Sequence, residues 1–447
     1  MQLTKLAWRS IWRNRRRTII TLVSMVLGLV IAIFFISFAE GVYTKMTDSA
    51  VRMLGGHVTL EHPEYRDAPA VDMTVGGLAE IRKRIEQLPE VERTKVLVLG
   101  QGVAKSGGGA VGVAVIGVEP SAEKGSSPMH QKIIAGEYLE DSDKRKVIIG
   151  SQLAKQLKLG KLKDGIKAAE RIRPWIEYSR IPFEKMVEEA RMRLAVGKKM
   201  VIATTNINGD MVEELLRVKG IFCVGAAEID GYMIQIPVDT ARRIYGMQAS
   251  EATQLGVVIR DPDTQSQVLA KVRQMASREK VSVLPWDQVM PDLAAYIEVD
   301  GGSNYVFQGI LIFLIMFVIF NTLLMSVLER RREFAILLAL GTPPGKLRLQ
   351  IMIETVFIAL IGCALGLLAG LGVTYPLSQS GIDISGMYEE GVSVSGYAIE
   401  PVVHPLLSWE LFAWLGGLVF AATMILSLYP MRKAAQIEVA DLLRGGQ

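Results

Sequence analysis

Apolar residues along this chain follow two regimes. In four places they run almost unbroken. Residues 18–39 carry no charge, and neither do 306–328, where Gln308, Asn321 and small hydroxyls are the polar exceptions, nor 411–429; residues 352–375 carry one, Glu354. Each run supplies the roughly 20 apolar residues that a helix needs to cross about 30 Å of hydrocarbon. The second regime is periodic and fills residues 40–303. "GGLAEIRKRIEQLPEVERTKVLVLG" spaces Leu78, Ile81, Ile85 and Leu88 as one helix face and continues into a strand at 96–99. "TQSQVLAKVRQMASREKVSVLPW" repeats the unit with Val268, Val272 and Met275, then a strand at 281–284. Two helix-then-strand units at opposite ends of one insertion predict an α+β domain whose first and last portions pack together.

Between those units the pattern is strand-like. "GQGVAKSGGGAVGVAVIGVEP" reads as a hairpin turning at Gly107–Gly109. "KVIIGSQLAKQL" reads as strand into helix, and "KGIFCVGAAEIDGYMIQIP" as two strands leading to a short helix in "VDTARRIYG". Residues 163–198 differ: dense in alternating charge and interrupted by Pro174 and Pro182, they read as a projecting helical insertion.

Charge orients these pieces. Lys5, Arg9, Arg13, Arg15, Arg16 and Arg17 precede the first run; Arg330, Arg331, Arg332, Lys346 and Arg348 stand between the second and third; Arg432, Lys433 and Arg444 follow the fourth. The stretch 376–410 has no Lys or Arg and holds five acids. Buried in a bilayer, three arginines would cost roughly 8–10 kcal/mol, so they stay outside it, and the positive-inside rule puts both termini in the cytoplasm. The first run is longer than a signal-peptide core and no A-x-A site follows, so it is expected to remain as an anchor. Before it, Leu3, Ala7 and Ile11 fall at helical spacing beside Trp8 and Trp12, the pattern of an interfacial helix. The layout expected is a cytoplasmic interfacial helix (1–17), span one (18–39), an extracytoplasmic α+β domain (40–303) with the insertion at 163–198, span two (306–328), a cytoplasmic segment (329–350), span three (352–375), an extracytoplasmic loop (376–410), span four (411–429) and a cytoplasmic tail (430–447). Small residues recur every fourth position in span one (Ser24, Gly28, Ala32), span three (Gly362, Gly366, Gly370) and span four (Ala413, Gly417, Ala421), which lets helices approach closely in lipid. Span two is bulky instead.

Composition agrees. Of 447 residues 50% are hydrophobic, and a mean hydropathy of +0.29 is too high for an ordinary soluble enzyme. A net charge of +4 gives no footprint for nucleic acid. Two cysteines, Cys223 and Cys363, make no disulfide framework, and His57, His62, His130 and His404 have no metal-ligand spacing. No G-x-x-x-x-G-K-[ST] cradle for ATP phosphates, nucleophile elbow or H-E-x-x-H is present. No cofactor and no catalytic residue is expected in this chain.

The segment "VLERRREFAILLALGTPPGKLR" remains. Glu329–Glu333 is a charged collar ending span two; Phe334, Leu337 and Leu338 share a face of the next helical turns; Gly341 is a natural helix stop. Thr342 is placed to cap a new helix whose first position is Pro343. An apolar knob in a basic collar is a suitable handle for a soluble partner.

This stretch resembles the "ERRREIGILRALG" signature of ABC-transporter permeases of the MacB/FtsX superfamily. "YPMRKAAQIEVADLLR" is similar to that family's ending, and the order of spans and domain matches throughout, nearest the lipoprotein-releasing LolC/LolE-like branch. The resemblance implies that Glu329, Arg330, Arg331, Arg332, Glu333, Ala339, Leu340 and Gly341 contact an ATPase; the helix face read above adds Phe334 and Leu337 as the apolar part of the handle. It implies two ABC ATPase subunits that bind ATP and Mg, a second permease of the same or a homologous chain, a lipoprotein or lipid substrate with an extracytoplasmic acceptor, and work by mechanotransmission in a bacterial cytoplasmic membrane. A regulator of an envelope hydrolase and an exporter of hydrophobic compounds are the alternatives within the family. Leu338, where a basic residue is common, and Val439, where proline is common, depart from the pattern.

Overall fold

The computed structural model describes residues 2–13, 15–125, 127–159, 192–277, 279–384, 392–394, 397–399 and 402–436. Most of the expected insertion at 163–198, the middle of the loop at 376–410 and the tail from 437, with Val439, lie outside the described residues. The chain divides into two compact units, one of Met1–Thr44, Ile297–Ile384 and Val402–Gln447, the other of Lys45–Tyr296 and Ser385–Pro401.

In chain order, leaving aside single helical turns and the four strands of two or three residues between 382 and 403, the elements are α1 (Gln2–Arg13), α2 (Arg15–Met53), β1 (Val58–Glu61), α3 (Leu78–Glu86), β2 (Val91–Ser106), β3 (Gly109–Val118), β4 (Ile133–Gly136), β5 (Lys146–Gly150) and α4 (Ser151–Gln156). Then come β6 (Lys199–Thr205), β7 (Met211–Phe222), α5 (Ala227–Tyr232), β8 (Met233–Pro237), α6 (Val238–Tyr245), β9 (Gln254–Ile259), α7 (Gln265–Ala276) and β10 (Ser282–Pro285). The chain returns to long helices with α8 (Pro291–Glu329), α9 (Arg331–Ala339), α10 (Pro344–Ser380) and α11 (Trp409–Ala435).

The second unit joins two subdomains through one strand. β1–α3–β2 and β9–α7–β10 are the two helix-then-strand units with a strand in front of each; their strands pair antiparallel in the order β10-β1-β9-β2. This is the split βαβ arrangement, and the helices bury Leu78, Ile81 and Ile85 of α3 with Val268, Val272 and Ala276 of α7 in one core. β2 is long enough to serve twice. Its first half pairs with β9, and its second half, from Val98, forms the expected hairpin with β3. From there the ring β2-β3-β8-β5-β7-β6 closes on β2, because β6 pairs with both β7 and β2. Val113 and Val115 of β3, Val147 and Ile149 of β5, and Ile234 and Ile236 of β8 all join the larger core. Ile116, Val118 and Ile148 alternate onto a second core with Ile229 of α5. Burial on both faces explains the unbroken apolar run of "KVIIG" at Val147–Ile149; in "MIQIP" the buried Gln235 is the polar exception, its Oε1 accepting from Tyr138 at 2.8 Å.

Among the described residues four helices are long and apolar enough to cross a membrane, α2, α8, α10 and α11, and their apolar runs fall in the first unit. α2 and α8 have 39 residues each, about 58 Å at 1.5 Å per residue. Both therefore extend beyond the runs read from sequence, which end at residue 39 and begin at residue 306; the added turns are helical and mix charges such as Lys45, Asp48 and Glu298 with apolar residues. The small residues of span three do not meet small residues. A Cβ built on Gly362 would lie 2.8 Å from Met25 Sδ, one on Gly366 2.5 Å from Leu29 Cδ1, and one on Gly370 2.4 Å from Ile33 Cδ1. The glycine stripe is a row of notches for three large side chains of α2. Gly28 makes a matching notch for Ile315 of α8; Ala32 is buried and Ser24 half-buried. The stripe of span four faces outward: Ala413, Gly417 and Ala421 are exposed, while Leu411, Leu415 and Val419 turn into the core.

Candidate functional site

The reversal between α8 and α10 carries the motif residues. Helix α8 ends at Glu329, and Arg330 leaves helical geometry with φ −95° and ψ 11° before α9 begins. α9 closes with a Schellman turn. Gly341 N–H donates to Leu338 O and Thr342 N–H to Leu337 O, each at 3.0 Å, with Gly341 at φ +86°, where a side chain would be strained. Gly341 thus ends the helix, as its position suggests. The expected cap at Thr342 does not form. Closure of the turn takes the Thr342 amide, and Pro343 is the residue before the helix, extended at ψ 141° because Pro344 follows it. Pro344, not Pro343, opens α10.

The face of α9 expected to be displayed points the other way. Phe334 and Ala335 are buried, and Phe334 packs with Val327, Leu347, Ile351, Met431 and Ala434. Leu337 and Leu338 lie partly buried against the same cluster. Phe334 is a wedge that seats the segment, not a contact for an outside partner. Outward stand Arg331, Arg332, Ala339 and Gly341, with Ile336 and Leu340 at 51% and 78% exposure. Ile336 was missed in the sequence because its neighbours are equally apolar, and only the rotation of α9 distinguishes them.

Arg330 is also turned inward. Its Nη1 donates to Glu354 Oε2 of α10 at 2.7 Å, and both side chains are largely buried. Its Nε lies 3.3 Å from Glu333 Oε2, and its guanidinium stacks 4.9 Å from the Phe334 ring centre. Gln350 Nε2 donates to the other Glu354 oxygen at 3.2 Å. Glu354, the single charge of the third run, is therefore the counter-ion that fixes the motif's first arginine. Glu333 pairs in addition with Arg13 of α1. Of the ten positions assigned to the ATPase contact, Arg331, Arg332, Ala339, Leu340 and Gly341 form the outward surface with the exposed Glu329; Arg330 and Phe334 hold it in place, and Glu333 and Leu337 lie between.

No group of three His, Cys, Asp or Glu able to hold a metal occurs among the described residues. His57 is a structural histidine: buried, it accepts the Ile259 N–H at Nδ1 over 3.2 Å, and burial lowers its pKa from 6.5 to about 4.

Comparison with known proteins fits this arrangement. The FtsX-like permease C-terminal family matches residues 305–439, and the MacB-like periplasmic core domain matches residues 18–168. The lipoprotein-releasing system transmembrane protein LolC of Neisseria meningitidis is 24% identical over 262 residues, 56% of this chain and 61% of that protein. The macrolide export ATP-binding/permease protein MacB of Chlorobaculum tepidum is 32% identical over 126 residues, 28% of this chain and 16% of that protein. Both matches span less than two thirds of the relative's own length. An uncharacterized ABC transporter permease of Methanocaldococcus jannaschii is 20% identical over 98% of this chain and 96% of its own length. With four helices able to cross a membrane among the described residues, a MacB-like periplasmic core match that begins in the first of them and the FtsX-like region after that, the chain belongs to the MacB/FtsX superfamily of ABC-transporter permeases.

Proposed function

We propose that this chain is the non-catalytic permease subunit of an ATP-driven translocase of a bacterial cytoplasmic membrane, and that it releases lipoproteins from that membrane. In this reading two copies of a separate ABC ATPase bind ATP and Mg, dock on the outward surface of α9 and swing it as they close. A second permease, the same or a homologous chain, completes the complex, and an extracytoplasmic acceptor takes the cargo.

The observation that carries the reading is the two-sided build of α9. Arg331, Arg332, Ile336 and Leu340 are presented outward, while Phe334 and the Arg330–Glu354 pair fix the helix to α10. A surface that must transmit force needs both halves: a grip for the motor and a stiff attachment to what moves. The sequence offers no ATP cradle of its own, which supports a separate ATPase. Lipoprotein as cargo is supported by the likeness to LolC, whose name states lipoprotein release, and by energetics. Each buried CH₂ is worth about 0.8 kcal/mol, so withdrawing one long acyl chain costs on the order of ten kcal/mol, a task suited to a driven lever.

The test is an ATPase measurement on the purified complex of this chain and its co-purifying ATPase, in the presence and absence of a triacylated lipoprotein. Stimulation by the lipoprotein and its transfer to an acceptor are expected. Stimulation by a hydrophobic small molecule instead would make the chain an exporter, and co-purification with a wall hydrolase without any cargo effect would make it a regulator. Ile336→Asp with Leu340→Asp is expected to abolish ATPase co-purification while leaving the permease folded.

A further inference from the structure

We propose that α1 binds the headgroups of anionic phospholipids through Arg9, Arg13 and Arg16, and that this binding competes with Glu333 of α9 for Arg13.

The side chains of α1 sort by angle around the helix. Ala7 and Ile11 are buried, and α1 packs along α10. One step around, Trp8 and Trp12 are each 43% exposed, edge to face at 6.2 Å, with Trp8 also edge to face against Phe357 at 5.5 Å. A further step around, Arg9 and Arg13 stand four residues apart and exposed, and Arg16 is exposed at the start of α2. Thr18 Oγ1 donates to Ile11 O at 2.7 Å, tying α1 to the first turns of the first span. The two tryptophans therefore stand beside the point where the apolar run begins, the depth that aromatic rings favour at a membrane surface. Arginines next to them face the phosphate layer. Guanidinium binds phosphate through paired hydrogen bonds, and clustered basic residues beside a span select anionic lipids.

The second half of the proposal comes from Glu333. Its carboxylate pairs with Arg13 on one side and lies 3.3 Å from Arg330 Nε on the other. The Arg13 side chain is 63% exposed and that of Glu333 43%, so their pair is open to water and easily exchanged. A lipid phosphate that takes Arg13 leaves Glu333 to Arg330 alone, at the first turn of α9. The occupancy of α1 by anionic lipid thereby alters how the start of α9 is held. The inference does not depend on an ATPase, so its failure and that of the proposed function are separable.

The experiment uses the full chain in nanodiscs containing brominated phosphatidylglycerol or brominated phosphatidylcholine at equal mole fraction. Quenching of Trp8 and Trp12 is read as the difference from a Trp8→Phe/Trp12→Phe variant. Expected is quenching about twofold or more stronger with phosphatidylglycerol, since each basic residue near the surface favours anionic lipid by about fivefold. Arg9→Gln/Arg13→Gln/Arg16→Gln should erase the preference and the corresponding lysine variant should keep it, with unchanged thermal unfolding as the folding check. Glu333→Gln should raise the preference by releasing Arg13. Equal quenching by both lipids, or a preference that survives the glutamine variant, overturns lipid binding. A Glu333→Gln protein with unaltered preference overturns the competition. Loss of the preference on adding excess inorganic phosphate would assign the site to a soluble anion and overturn the lipid as occupant.

Discussion

The two units separate inside from outside by different physics. In the periplasmic unit, alternation does it: β3, β5 and β8 send Val113, Val115, Val147, Ile149, Ile234 and Ile236 into one core, and water rewards that choice. In the membrane unit both sides of a helix are greasy. α2 exposes Ile19, Ile20, Val23, Leu27, Ile31 and Phe35 and buries Met25, Leu29 and Ile33. Hydrophobicity cannot tell these sets apart where the surroundings are lipid. Shape tells them apart, through the notches at Gly362, Gly366 and Gly370, and so does a buried ion pair, Arg330 with Glu354. The lesson is that deletions should harm the periplasmic unit, whereas additions and lost charges should harm the membrane unit.

The strongest test of that contrast is the ion pair. Glu354→Ala removes the closer and more buried of the two carboxylates on Arg330 and leaves it Glu333 at 3.3 Å; a loss of up to about 3–5 kcal/mol is expected, measured as thermal unfolding of the full chain in detergent. Replacing both partners, Arg330→Met with Glu354→Leu, should recover most of the loss; if the double variant is as unstable as the single one, the pair is not what holds α9. In the periplasmic unit, Ile149→Ala should cost about 2–4 kcal/mol, read by urea unfolding with a probe in that unit, because a fully buried side chain leaves a cavity.

Acid should act on the periplasmic unit through His57. Its folded pKa near 4 lies below the ordinary 6.5, so the unfolded chain takes up its proton first as pH falls. The stabilisation is complete above pH 6.5 and is lost progressively down to about pH 4, by about 3 kcal/mol at most. His57→Gln should flatten that part of the stability–pH curve. An unchanged slope would assign the acid sensitivity to other groups. Smaller still is Gly366→Val, whose added atoms meet Leu29: about 1–3 kcal/mol lost by overpacking, where an equally sized substitution at the exposed Gly417 should be nearly silent.

Much of this arrangement is readable from residue order, and the exceptions have physical causes. The four spans are legible because about twenty apolar residues in a row have few other uses. The two helix-then-strand units and the hairpin at Gly107 are legible because their periods are local. Closure of the six-strand ring is not. β7 begins "MVEELLRV", whose charges hide a strand, and β6 is placed by pairings more than ninety residues away in sequence at Val103–Lys105. In the segment between α8 and α10, the motif and its glycine stop are legible, but the rotation of α9, which turns Phe334 inward and Ile336 outward, is not. One signal was available. A lone carboxylate in an apolar run needs a cation, and the basic residues Arg330–Arg332, Lys346 and Arg348 precede Glu354, although the structure pairs it with Arg330 and not with Arg348, the nearest in sequence.

The glycine notches have a mechanical corollary. They recur every four residues, about 6 Å along the axis, and each receives one bulky side chain of α2. Sliding α2 along α10 by a fraction of that distance would drive Met25, Leu29 and Ile33 against backbone. The two helices consequently have detents: longitudinal travel between them is quantised, one whole click or none.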